Sequence, residues 1–121
     1  MLGLKDMTVE IYAGLDARDR MLFKAGITTD NPHEILVHTC NMLELDYADV
    51  LSRKRDKALV TARMIAIGLT CKCNIYTLKE IGKFYNRDHT TIIYNRDTFN
   101  DLVEIKDRYF TSKLNKVMIS E

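Results

Sequence analysis

An acid, an imidazole and two hydroxyls stand consecutively at Asp88, His89, Thr90 and Thr91. Three chemistries could use such a run. A carboxylate beside an imidazole could move protons, but adjacent helical residues point about 100° apart and do not converge on one substrate. No nucleophile–base–orienter set accompanies them. A metal site would need Cys71, Cys73 and His89 or His38 to converge. The spacing there is C-x-C rather than C-x2-C, and no second pair exists. We therefore expect no enzyme, no catalytic residue, no metal and no cofactor. The third chemistry is recognition. None of the four is a strong interior helix former, yet Ile92 and Ile93 follow at once and a helical pattern continues. Short polar residues at a helix start ordinarily cap it. One cap is enough, and four polar positions run in sequence, which suits a helix tip exposed for contact.

Such a tip has to be held by a folded body. The chain has 121 residues, enough for one domain with a modest core. One proline, Pro32, and five glycines punctuate it. That scarcity argues for helices and against many short strands. No apolar run approaches the ~18–20 residues of a membrane span. The N-terminus, with an early acid and no long apolar stretch, does not look like a signal peptide. Three cysteines, Cys40, Cys71 and Cys73, are an odd set, which fits a reducing cytoplasm.

The net charge of +1 conceals a split. Residues 1–50 carry four basic and nine acidic side chains, a net of −5, and residues 51–121 carry fourteen and eight, a net of +6. The second part is the one suited to a polyanion.

The periodicity predicts a helix over 8–24, within an N-terminal helical extension of residues 1–30. "GITTDNP" marks the boundary to a domain of residues 31–121. Asn31 should cap a helix with Pro32 at its first position and Glu34 reaching back, running to about Leu43 with Ile35, Leu36, Thr39, Cys40, Met42 and Leu43 inward. "LDYADVLS" is a short helical step to the basic knot "SRKRDK". A longer helix should span Asp56 or Lys57 to about Lys72, with an apolar stripe of Val60, Met64, Ile67, Gly68 and Cys71. Gly68 is tolerable there if another helix crosses closely. Thr77 and Glu80 form a capping box for a helix to about Phe84, with Ile81 and Phe84 inward and Lys79 and Lys83 outward. "YNR" is the turn, with Asn86 the residue best able to be left-handed. A helix from near Asp88 past Leu102 should bury Ile92, Phe99, Leu102 and Val103, and a last one, from about Ile105 to Met118, uses Tyr109, Leu114 and Val117.

Short helix, tight turn, longer helix is a helix-turn-helix, and the first turn of its second helix is what enters a major groove. "LSRKRDKALVTARMIAIGL" followed by "TLKEIGKFYNRDHTTIIY" resembles the C-terminal DNA-binding domain, domain IV, of the bacterial replication initiator DnaA. The match runs from about Asn31 to Tyr94, and more loosely to Val117. It implies an all-α, Trp-repressor-like bundle of about five to seven helices that binds double-stranded DNA.

Position by position, the resemblance implies that Arg55 enters the minor groove. It implies that Asp88, His89 and Thr90 read bases in the major groove, with Thr91 at a thymine methyl and phosphate. Arg63, Thr77 and Arg87 fall at phosphate-positioning residues, and Lys57 at another basic contact. The chemistry agrees: aspartate accepts from cytosine N4, a threonine methyl packs on thymine, and an arginine suits the negative potential of a narrow A·T-rich minor groove. Arg53, Lys54, Lys57, Lys79 and Lys83 would add nonspecific affinity through counterion release. Departures point away from the standard DnaA box. The family's glycine pair before RDHTT is here Tyr85–Asn86, one residue shorter. Cys71 replaces a phosphate-binding lysine, Lys79 a proline, and Tyr94, also counted in the DNA surface, a histidine.

No G-x-x-x-x-G-K-[ST] occurs, so ATP is not expected as a ligand. The expectation is a freestanding DNA-reading domain of the kind a phage or mobile element carries, acting in replication or transcription regulation. A homodimer through residues 1–30 would pair two half-sites. The competing function is a protein interaction module that keeps the helix-turn-helix as scaffold. Salt-sensitive duplex binding distinguishes the two.

Overall fold

The computed structural model describes residues 31–118. The extension expected over 1–30, with its helix over 8–24, lies outside the described residues. Among those described, the chain forms six helices and no strand: α1 (Pro32–Leu43), α2 (Tyr47–Leu51), α3 (Lys57–Lys72), α4 (Leu78–Tyr85), α5 (His89–Glu104) and α6 (Arg108–Met118).

Local chemistry sets the ends. The Asn31 side chain accepts from the His33 N–H, with Pro32 opening α1, and Glu44 closes α1 in the left-handed region. Asp46 caps α2. The Thr77–Glu80 capping box is complete in both directions, at 3.1 and 2.8 Å. Asn86 ends α4 at φ 55°, ψ 49°.

The centre of the bundle is α3. Every residue from Thr61 to Thr70 is buried, so the stripe expected from the sequence was too narrow. Two apolar clusters explain this. Met64, Ile65 and Leu69 pack with Ile35, Phe99, Phe110, Leu114 and Val117. Leu59, Ala62, Ala66 and Ile67 pack with Leu36, Val50, Ile81, Tyr85 and Ile92. A helix serving two clusters must be apolar around most of its circumference. Val60 and Cys71, at its ends, are only half-buried.

Two of the buried threonines, Thr39 of α1 and Thr70 of α3, find partners inside their own helices. Thr39 Oγ1 donates to the Ile35 carbonyl at 2.9 Å, and Thr70 Oγ1 to that of Ala66 at 2.8 Å. The Tyr85 hydroxyl lies 3.2 Å from Thr70 Oγ1, and burial pushes its pKa upward. Tyr85 thus ends α4 as a core residue rather than starting the turn. Two further assignments need correction. Val103 is exposed while Asn95 is buried on α5, and Phe110, not Tyr109, is the buried aromatic of α6. Leu102, beside Val103, packs against the first cluster, and Phe110, beside Tyr109, is buried in it, a rotation that approximate helical spacing does not resolve.

Candidate nucleic-acid interface

Helices α4 and α5 and their turn form the expected motif. Tyr85 fills the core, Asn86 alone takes the left-handed conformation, and the Arg87 N–H donates to the Gly82 carbonyl at 2.8 Å. Gly82 is required by this closure. A Cβ there would stand 2.5 Å from the Arg87 carbonyl oxygen, a backbone atom that cannot swing aside. The glycine of "EIG" therefore sets how closely α5 follows α4.

The tip of α5 is presented to solvent. Asp88, His89 and Thr90 are exposed, and Thr91 is half-buried. Asp88 is the N-cap by backbone conformation, but its carboxylate makes no capping bond. It instead accepts from Thr90 Oγ1 at 3.1 Å and lies 3.2 Å from His89 Nδ1. The Thr90 hydroxyl, followed by the His89 and Thr90 main-chain N–H groups and the imidazole, holds its pKa below the usual aspartate value. Asp88 and His89 do meet, contrary to the divergence expected for adjacent helical residues, because Asp88 precedes the first helical residue. The result is a fixed anionic acceptor beside an imidazole and a hydroxyl.

The basic knot lies alongside. Arg53, Lys54 and Arg55 are exposed. Arg53 Nη2 donates to the Asn86 carbonyl at 3.3 Å, which brings the knot against the turn. Lys54 Nζ pairs with Asp49 Oδ1 at 2.9 Å, and that hydrogen bond raises its pKa. An open cleft of about 400 Å³ separates knot from recognition helix. Arg53, Arg55, Arg63 and Arg87 line it together with Thr91, Tyr94 and Asn95 of α5. Tyr94 is 65 % exposed, so its ring is available to a partner. A second hollow continues past Asn86 to Lys79 and Lys83, both exposed. Ten of the fourteen residues singled out from the sequence line one or other of these hollows; Thr90 bonds to Asp88, Lys54 pairs with Asp49, and Thr77 caps α4.

Lys57 lies elsewhere. Its Nζ lies 4.2 Å from the centroid of the Tyr109 ring, with Lys113 on the same ring at 5.5 Å. Arg63 and Arg87 differ from the exposed cations as well. Arg63 is buried, and its Nε and Nη2 donate to the carbonyls of Val50, Ser52 and Lys54 at 2.8, 3.0 and 3.1 Å. Desolvation, and then the charges of Arg87, Arg55 and Arg53, lower its pKa. Burial, and then Arg53, lower that of Arg87. Like charges crowded in this way favour an incoming anion.

Sequence reasoning missed Asn95. Its Nδ2 donates to the Thr91 carbonyl at 2.8 Å from a buried position in the cleft floor. A polar residue at an inward helical position, i+4 from Thr91, was the available signal.

A family model described as the bacterial dnaA protein helix-turn-helix matches residues 32–98. The chromosomal replication initiator protein DnaA of Jannaschia sp. (strain CCS1) is 35% identical over 72 residues, covering 59% of this chain and 15% of the relative. That of Clavibacter michiganensis subsp. michiganensis is 34% identical over 74 residues, covering 60% and 16%. For Campylobacter jejuni subsp. doylei the figures are 30% over 101 residues, 79% and 22%. The chain spans less than a quarter of the length of each of these relatives.

Proposed function

The chain belongs to the bacterial DnaA helix-turn-helix family, and from that premise we propose that it is a sequence-specific binder of double-stranded DNA. The observation that carries this reading is the adjacency of two elements, an exposed polar helix tip at Asp88–Thr90 and an exposed basic loop at Arg53–Arg55, on either side of an arginine-lined cleft. In this reading the tip of α5 enters the major groove, where Asp88, His89, Thr90 and Thr91 face base edges. Arg55 follows the neighbouring minor groove. The strand between the grooves crosses the cleft, with Thr77, Lys79 and Lys83 along its continuation. Phosphate contacts set register and bases set sequence. Lys57, over Tyr109, contributes charge to the flank.

The role is binding rather than catalysis. It serves a replication origin or a regulatory site, in a phage or mobile element. Two copies joined through residues 1–30 would raise affinity at paired half-sites. Solution mass with and without those residues tests that association.

Selection of bound duplexes from a random pool tests the proposal. One enriched motif with an A·T-rich flank is the expected outcome. A pool that stays random after repeated rounds rules out sequence-specific binding. Retention of a protein partner without duplex binding would favour the interaction-module reading.

A further inference from the structure

We propose that Arg63 and Arg87 are positioning residues that fix the basic loop to the recognition helix, so that Arg55 and the α5 tip meet a duplex as one unit. This rests on the DNA-binding reading above. It differs from the phosphate-contact role implied by the resemblance, because these guanidiniums act through the loop.

The two side chains come from different parts of the fold and converge on one atom. Arg63, from the central helix α3, places Nη2 3.0 Å from the Ser52 carbonyl oxygen. Arg87, from the turn before α5, places Nη2 2.6 Å from the same oxygen. Arg63 also takes the carbonyls of Val50 and Lys54. Val50 lies in the last turn of α2, where carbonyls lack an intrahelical partner, and Ser52, its C-cap, is extended at φ −74°, ψ −176°. Arg63 thus ties the end of α2 to the loop that leaves it.

Arg87 staples two segments together. Its Nη1 donates to the carbonyls of Tyr85, the last residue of α4, and Asn86 of the turn at 3.0 and 3.2 Å and reaches that of Leu51, the last residue of α2, at 3.5 Å. Among the described residues, every hydrogen bond these two guanidiniums donate goes to a main-chain carbonyl. The N–H groups in these bonds could meet a phosphate only by releasing the loop, whereas Arg63 Nη1 and Arg87 Nε take no part in them. Arg53, Arg55, Arg63 and Arg87 repel one another around the cleft. The carbonyl bonds therefore hold Arg55 near its like-charged neighbours before DNA arrives, which lowers the ordering cost of binding. Lysine cannot substitute: it keeps the charge but lacks the planar fork that spans several carbonyls.

The test is a double-mutant cycle with Arg87→Lys and Arg55→Ala on a selected duplex, with thermal melting as the fold control. Arg87→Lys is expected to weaken binding about tenfold with Arg55 present and less than about twofold with Arg55 already removed, as for groups that act through one another. In the free protein, the backbone amide signals of residues 51–55 should shift and exchange faster in Arg87→Lys. Arg63→Lys should do the same. If it fails to fold, Arg87→Lys decides alone. Equal weakening in both backgrounds, undiminished binding by Arg87→Lys, or unchanged loop amides would each overturn the proposal. A wild-type chain that binds no duplex would overturn the DNA-binding reading instead, and the loop amides would still report whether the arginines order the loop.

Discussion

Gly68 of α3 and the Phe99 ring of α5 occupy each other's space so closely that a Cβ on Gly68 would stand 2.5 Å from Phe99 Cγ. The contact lets the recognition helix lie directly on the central helix. Phe99 also meets Phe110 edge-on at 5.5 Å, so the ring is not free to retreat. Gly68→Ala should therefore destabilise the fold despite its better helix propensity. The expected net cost is about 1–2 kcal/mol, read as a fall in Tm of roughly 5–10 °C. Combining it with Phe99→Leu should cost less than the sum of the two single changes. An unchanged or raised Tm for Gly68→Ala would show that the helices have room to separate.

The Asp88 carboxylate is held below its ordinary pKa chiefly by the Thr90 hydroxyl. A carboxylate with a depressed folded-state pKa contributes stability above its unfolded pKa and loses it as pH falls through the folded value. Thr90→Val should move the Asp88 carboxyl titration upward, measured by NMR, and shrink that acid-side loss, because the folded pKa then lies closer to the unfolded one. No movement would mean that the Thr90 hydroxyl does not hold the carboxylate.

Much of this arrangement was legible in the sequence because local chemistry encodes it. The Asn31 and Thr77 caps, the capping box with Glu80 and the left-handed Asn86 are short-range effects, and all stand where residue type placed them. The close crossing at Gly68 was likewise implied by a glycine inside a helix. The full burial of α3 was not legible, because an apolar period identifies one face and cannot show that a second cluster covers the other. The same limit placed the exposed Val103 inward, missed the buried Asn95 and set Tyr109 in place of Phe110. For the candidate surface, residue type marked Arg63 and Arg87 as cations but could not show where their N–H groups go. Only tertiary folding brings the carbonyls of Val50, Ser52 and Lys54 to Arg63.

Arg55→Ala should weaken binding mainly where the flank is A·T-rich, since a narrow minor groove is what concentrates potential on an inserted arginine. Affinities for two duplexes that differ only in the flank give the answer. Equal losses on A·T and G·C flanks would remove Arg55 from the minor groove.

His89→Ala and Thr91→Ala should erode discrimination more than overall affinity, at ~1–3 kcal/mol for each lost base contact. Lys83→Ala, on an exposed position of α4, should weaken all duplexes alike. Competition between selected and scrambled duplexes separates these effects. A specificity loss from Lys83→Ala with none from His89→Ala would place the opposite face of the motif on DNA.

The most direct measurement of the central claim is the affinity of the full chain for a selected duplex as salt is raised from about 50 to 200 mM, beside a scrambled duplex of equal length. Each neutralised phosphate adds about 0.9 to the slope of log affinity against log salt. With the exposed cations Arg53, Arg55, Lys79 and Lys83 engaged, affinity should fall on the order of a hundredfold over that range. The selected duplex should stay ahead of the scrambled one throughout. Duplex affinity that is absent, or that does not change across the salt range, would contradict the account.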